Sequence, residues 1–314
     1  MKVLVTGGAG FIGSNLVRHL VERGDDVRVL DNFSTGSRRN LEQLGVEIVE
    51  GELRSYERVQ NAVRGTEIVF HLGALGSVPR SVQDPLTSNA VNVEGTLNAM
   101  LAARDEGVRR VVFSSSSSVY GSKRELPVNE SLAADPISPY GVAKLAAERY
   151  CVSFSRVYES LETVVLRYFN VFGPRQSPLS QYAAMVPLFI TAIAAGEPVT
   201  IFGDGEQSRD FTYVANVIDA TVRAAGADGA NGRIFNIAAG SPASVNFVAD
   251  TIGRILGKPV ERCFAPPRPG DIRDSWADLK AAKETFGYEP TVDLEEGLRR
   301  TIEHLVSSDR MLGV

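Results

Sequence analysis

The stretch Thr6-Gly7-Gly8-Ala9-Gly10-Phe11-Ile12-Gly13 decides how the rest of the chain is read. It follows the apolar run Val3-Leu4-Val5, which has the texture of a buried parallel strand. It opens a segment, residues 11–23, whose apolar residues Phe11, Ile12, Leu16, Leu20 and Val21 fall at helical spacing, with Gly24 closing it. Gly7, Gly10 and Gly13 form G-x-x-G-x-x-G, and Gly8, Gly10 and Gly13 also satisfy G-x-G-x-x-G. Between a strand and a helix, such glycines permit a tight turn and let a backbone approach a pyrophosphate. The helix N-terminus then offers N–H groups and a positive dipole. An ordinary glycine-rich turn would read the same in isolation. The dinucleotide reading is favoured by Asp31, 18 residues beyond Gly13 at the end of the next strand-like run, residues 27–30. That is near the spacing at which a carboxylate meets adenosine ribose hydroxyls, and a carboxylate there favours NAD over NADP.

Composition narrows the class. A length of 314 residues suggests about two domains, or one large α/β domain with an attached lobe. The net charge of −5 gives no electrostatic footprint for nucleic acid or an anionic membrane. Hydrophobic residues at 44% and charged residues at 23% exclude disordered and fibrous classes. Cys151 and Cys263 lie far apart without metal-ligand spacing, and His19, His71 and His304 are scattered, so no disulfide scaffold or metal site is expected. Residues 1–5 carry no leader pattern, and the longest uncharged apolar stretch, residues 182–195, is short for a membrane span. A cytoplasmic protein is expected.

Strand-like runs at residues 3–6, 27–30, 47–49, 68–72, 110–114 and 163–167 alternate with helix-like runs at 11–23, 90–106 and 138–158. Such alternation implies βαβ units and a doubly wound parallel sheet of the Rossmann type. After Asn170 the loops lengthen and Gly and Pro punctuate more often, as in a smaller α/β lobe that covers the sheet. The expected division is residues 1–169, with a segment near 210–240 rejoining them, and residues 170–314. The run Ser114-Ser115-Ser116-Ser117-Ser118 reads either as a flexible linker or as a loop at a strand's C-terminal end. Val111-Val112-Phe113 feeds into it as a strand would, and such ends are where open α/β sheets place ligands.

Tyr140-Gly-Val-Ala-Lys144 places a phenol and an ammonium on one helix face. Alone this is common on solvated helices. Beside a serine cluster on a dinucleotide-binding chain, it suggests a base whose pKa Lys144 lowers from about 10 by roughly 1–3 units. A nearby serine would share the same substrate oxygen.

Residues 6–13, Asp31, Phe113-Ser-Ser-Ser-Ser-Ser-Val-Tyr-Gly121, Tyr140 to Lys144, Arg167-Tyr-Phe-Asn-Val-Phe-Gly173 and Gly203-Asp-Gly-Glu-Gln-Ser-Arg-Asp-Phe-Thr-Tyr213 together resemble the extended short-chain dehydrogenase/reductases of the NAD-dependent epimerase/dehydratase family. The resemblance runs over essentially the whole chain. It implies tightly held NAD, a UDP-sugar substrate, a homodimer through a four-helix interface, and Ser116, Tyr140 and Lys144 as catalytic residues. The helices near 92–104 and 138–158 are the interface candidates, with apolar stripes at Val93, Leu97 and Leu101 and at Val142, Leu145 and Tyr150. The resemblance implies a cofactor site made of Gly7, Gly10, Phe11, Ile12, Gly13, Asp31, Asn32, Gly36, Glu52, Leu53, Leu72, Gly73, Ala74, Asn92, Ser114, Tyr140, Lys144 and Tyr168. Two positions depart from the family pattern: Gly73 stands where alanine is usual, and Glu52 where aspartate is usual.

The same resemblance speaks to the reaction. Dehydratases and decarboxylases of this family carry carboxylates beside the catalytic Ser/Thr, whereas this chain has Ser117 and Ser118. That suits C4 epimerisation, in which Tyr140 takes the C4 hydroxyl proton and a 4-keto sugar presents its other face. The substrate would meet Gly76, Ser77, Ser116, Ser117, Asn170, Gln176, Ala184, Met185, Val186, Thr200 and Phe202, with Arg209 and Arg268 on the diphosphate and Asp271 on the ribose. Ser275, small where galactose-type enzymes carry tyrosine, would admit a 2-acetamido group. The expected pair is UDP-GlcNAc and UDP-GalNAc, with UDP-Glc/UDP-Gal as a further activity. The alternatives are a UDP-glucose 4-epimerase without N-acetyl preference and a UDP-glucuronate 4-epimerase.

Overall fold

The computed structural model describes residues 1–122, 125–178, 184–267 and 272–311, with side chains described through residue 307. Seven parallel strands form the central sheet. They are β1 (Lys2–Thr6), β2 (Asp26–Asp31), β3 (Glu47–Glu50), β4 (Ile68–His71), β5 (Arg110–Ser116), β6 (Glu162–Tyr168) and β7 (Arg233–Ile237), in spatial order β3-β2-β1-β4-β5-β6-β7. The helices that matter for the site are α1 (Phe11–Glu22), α2 (Tyr56–Val63), α3 (Gly95–Asp105), α4 (Pro139–Val157) and α5 (Val214–Gly226).

The inner residues of β1, β4, β5 and β6 are apolar because both sheet faces are covered there, whereas the edge strand β3 is largely exposed. Val3, Val5, Val27 and Val29 pack on one face with Leu16, Val17 and Leu20 of α1 and with Val217, Ala220 and Ala224 of α5. Leu4, Val69, Val111 and Phe113 pack on the other with residues of α2, α3 and α4, including Val59, Ala99 and Ala147. Each fully buried Val or Leu contributes roughly 1.5–3 kcal/mol relative to exposure.

The strand order reverses between β1 and β4, which are hydrogen-bonded neighbours. A crevice opens there at the carboxyl ends of the strands. Within residues 210–240, β7 pairs with β6, with Phe235 opposite Leu166. The single helix expected over residues 90–106 is instead a π-helical turn, Ala90–Glu94, followed by α3. The covering lobe is assembled from short pieces. The helix Met185–Ala195 precedes the strand Val199–Phe202, which pairs with Arg262–Ala265, and Ser208–Arg209 lies between Ala243–Ser244 and Asp274–Ser275. Among the described residues no helix is long and apolar enough to cross a membrane.

Candidate active site

The crevice is shaped first by glycines. Gly7 sits at φ +69°, and a Cβ there would lie 2.7 Å from Gly73 Cα in the loop after β4. A Cβ on Gly13 would lie 2.1 Å from the Gly7 carbonyl oxygen, and one on Gly10 3.2 Å from it. Side chains would fill this cradle. Gly10 is the N-cap of α1, and no side chain caps that turn. The cradle therefore fits the diphosphate of a dinucleotide. Asp31, buried, accepts the Ala9 N–H at 2.9 Å and the Phe33 N–H at 2.8 Å, so its carboxylate also braces the loop. Gly36 packs against Ala9, where a Cβ would be 2.7 Å from its carbonyl carbon. Gly73 has a steric reason: a Cβ there would lie 2.9 Å from Leu53 Cδ1 and 3.1 Å from Thr6 Oγ1.

Other expected cofactor residues are more committed than the sequence suggested. Glu52 is exposed and ion-paired with Arg54. Asn32 accepts the Ser34 N–H in a local turn. Asn92 is buried, and its amide holds both the N–H and the carbonyl of Leu75, so it shapes the loop of Leu72, Gly73, Ala74 and Gly76. Tyr168 is buried and its hydroxyl bonds the Thr221 hydroxyl at 2.7 Å. The polar end of Tyr168 is thus already paired against α5, which seats its side chain in the core.

The serine loop and α4 converge. Ser116 ends β5 and caps the turn Ser117–Tyr120, accepting the Ser118 N–H at 3.2 Å. The Ser116 hydroxyl donates to the Ser118 hydroxyl at 3.1 Å, and it lies close enough to the Tyr140 phenol to favour its ionised form. Ser138 caps α4 by accepting the Gly141 N–H at 3.1 Å, with Pro139 in the first turn. A Cβ on Gly141 would fall 2.6 Å from the Ser118 carbonyl oxygen, so this glycine lets the helix dock on the loop. The Tyr140 N–H donates to Ser81 Oγ at 3.0 Å. Lys144, 3% exposed, donates to the Ser114 carbonyl at 2.8 Å and stands 4.9 Å above the Phe113 ring.

Burial pushes Lys144 down to about 8 and Tyr140 up to about 12, with the Ser116 hydroxyl pulling the phenol the other way. The expectation that Lys144 draws the phenol toward its ionised form is corrected. Helical spacing puts the two groups on one face, but the ammonium takes the Ser114 carbonyl, and burial dominates the phenol. Tyr120, the other tyrosine of the loop, is buried and bonds Asn236 Oδ1 at 2.7 Å, which makes it an anchor for the loop.

In the lobe a cavity of about 420 Å³ is lined by Asn170, Met185, Thr200, Phe202 and Arg209, among others. Its size suits a small ligand. Arg209 donates to the carbonyls of Ser208 and Arg273. Ser275 is the register partner of Arg209. Val186 is 2% exposed and packs in the core, while Ala184 is exposed. Gln176 donates to the Val171 carbonyl at 3.2 Å, while its Oε1 is buried with no partner among the described residues. Ser77 caps the helix Val78–Gln83. Arg268 and Asp271 lie outside the described residues.

Sequence reasoning missed three groups. His71, fully buried and pushed down to about 3 by that burial, links Thr6 Oγ1 at 2.7 Å to Thr96 Oγ1 at 3.0 Å. Asp210 is buried and accepts the N–H groups of Ala239, Gly240 and Ala277, tying the lobe together; burial pushes it up to about 6 against those amides. Glu148 is buried beside Arg167 and Ser115. The only signal for Glu148 was its place one turn beyond Lys144.

The model of the NAD dependent epimerase/dehydratase family matches residues 3–238. A UDP-glucose 4-epimerase of Mycolicibacterium smegmatis is 41% identical over 313 residues, covering 96% of this chain and 98% of that protein. A Thermotoga maritima UDP-glucose 4-epimerase solved with UDP-glucose superposes with a TM-score of 0.94 at 40% identity, covering 98% of this chain and 99% of that one. A UDP-N-acetylglucosamine 4-epimerase of Methanobrevibacter ruminantium, solved with UDP-N-acetylmuramic acid, gives 0.93 at 39%, covering 98% of each.

Proposed function

The chain belongs to the NAD-dependent epimerase/dehydratase family as an enzyme of the epimerase kind that uses NAD, and within that family we propose that it interconverts UDP-GlcNAc and UDP-GalNAc at C4, with UDP-Glc and UDP-Gal as further substrates. One observation carries the C4 reading. The centre holds a phenol, a hydroxyl and an ammonium, and the positions flanking Ser116 are Ser117 and Ser118 rather than carboxylates. Such a set can move one proton at a hydroxyl oxygen, and the two positions after Ser116 carry no carboxylate to handle a second proton at C5 or C6.

When bound, NAD supplies the reversible hydride acceptor for C4. Tyr140, as the phenolate that Ser116 and the cationic nicotinamide of bound NAD would favour against burial, receives the C4 hydroxyl proton; Ser116 holds the same oxygen, and Lys144 adds positive charge behind them. The glycine cradle holds the diphosphate of the cofactor. Arg209, beside the cavity, meets the diphosphate of the sugar nucleotide, and Phe202 its base. The acetamido preference is supported by the small Ser275, the register partner of Arg209. The reading extends to a cytoplasmic homodimer, supported by the free thiols of Cys151 and Cys263 and by the exposure of Val142 and Tyr150 on α4.

The test is NMR of the purified protein with UDP-GlcNAc, and separately with UDP-Glc, with no cofactor added. Appearance of UDP-GalNAc is the expected result. Conversion of UDP-Glc alone would overturn the acetamido reading, and conversion of neither by protein shown to carry NAD would overturn both.

A further inference from the structure

Tyr140, Lys144 and Glu148 recur every four residues on α4 and so share one face. Glu148 is wholly buried, and its Oε1 accepts the Ser115 hydroxyl at 2.5 Å. The same carboxylate takes Arg167 of β6 in a two-pronged ion pair, at 2.9 and 2.7 Å. Arg167 lies across the β5–β6 ladder from Ser115 and stacks 4.6 Å from the Tyr120 ring. One helix face thus grips the end of β5 twice, by Lys144 on the Ser114 carbonyl and by Glu148 on the Ser115 hydroxyl. The next residue is Ser116. A buried carboxylate needs its partners, because an uncompensated charge in the interior is costly.

We infer that Glu148 is a positioning residue for the reaction centre: through Ser115 it fixes the strand end that carries Ser116, and one turn along the same helix face it backs Lys144. The charged and titratable groups around Lys144 are few. Glu148 and Cys151 share its helix, and both raise its pKa against burial. His71, on β4, is neutral at ordinary pH. Among the described residues, Glu148 lies one turn from Lys144 on the same helix face and favours its charged form. The kinetic part of this inference rests on the C4-epimerase reading; the titration of Lys144 does not.

The test uses the full-length enzyme with its NAD, and three variants: Glu148→Gln, Glu148→Asp and Ser115→Ala. Lys144 is followed by NMR of lysine side-chain carbons against pH, with no sugar present, and kcat and KM are measured alongside. In Glu148→Gln the Lys144 midpoint, near 8 in the natural protein, moves to lower pH, and the alkaline limb of kcat moves with it. Glu148→Asp keeps the charge and restores that midpoint. Ser115→Ala leaves the midpoint and KM in place and lowers kcat about 10- to 100-fold, the cost of a misplaced reacting group. An unmoved Lys144 midpoint in folded Glu148→Gln, or natural kcat in Ser115→Ala, would overturn the inference. If Glu148→Gln does not fold, Ser115→Ala decides alone. A shifted midpoint in a protein that converts no UDP-sugar would count against the proposed reaction and not against this role of Glu148.

Discussion

The glycine cradle and the serine loop hold their shape through contacts within neighbouring βα units, whereas Arg209 and Ser275 are placed by strands only two residues long. In the first region each clash distance points to a residue type: glycine at 7, 13 and 141. In the second, Ser208–Arg209 is held from outside. It pairs with Asp274–Ser275 and Ala243–Ser244, and Asp210 ties the loops behind it. Chemistry common to a family can sit in the region that local rules fix. Substrate choice can sit in the region that tertiary contacts assemble, because changes there leave the cradle intact.

Four changes would break or sharpen this contrast. Tyr140→Phe should cut turnover about 10²- to 10⁴-fold while fold and NAD content stay as they are. Steady-state kinetics with circular dichroism checks this, and near-natural turnover would move the base elsewhere. Gly13→Ala should push α1 away from β1, since the new methyl would fall 2.1 Å from the Gly7 carbonyl oxygen. A loss of about 1–3 kcal/mol of stability and of retained NAD is expected, read by urea unfolding and cofactor stoichiometry. In the lobe, Ser275→Tyr should lower turnover of UDP-GalNAc by at least about tenfold and spare UDP-Gal; equal behaviour of both sugars would remove Ser275 as the gate. Asp210→Asn should cost about 1–3 kcal/mol, because an amide NH₂ would face backbone N–H groups that now find a carboxylate. Its urea midpoint should fall without any change at the Tyr140 centre.

The pH dependence separates the same two regions. Burial holds Lys144 below its ordinary value, at about 8, so the ammonium is present below that pH and is lost as pH rises through it. Turnover should decline over that interval with NAD still bound. A rate that climbs steadily to pH 10 would show that the centre works without the Lys144 charge.

The alternation of apolar runs with helical periods was enough to read the sheet, because the inner residues of strands covered on both faces are mostly apolar. The cofactor side was legible for a similar reason: glycine spacing encodes a turn and a helix packed at close range. The sequence could not show what the long polar side chains would take as partners. Lys144 turns to the Ser114 carbonyl, Tyr168 to Thr221 and Glu148 to Arg167, each across a separation that periodicity does not see.

By itself, then, the sequence determined the sheet, the dinucleotide cradle, and the shared helix face of Tyr140 and Lys144, since each follows from steric rules acting over a few residues. Only the tertiary structure decided that burial raises the Tyr140 phenol to about 12, that Asp210 organises the lobe, and that Glu148 stands behind the serine loop. Desolvation and buried pairing depend on what packs against a group from elsewhere in the chain, and that exists only once the chain has folded.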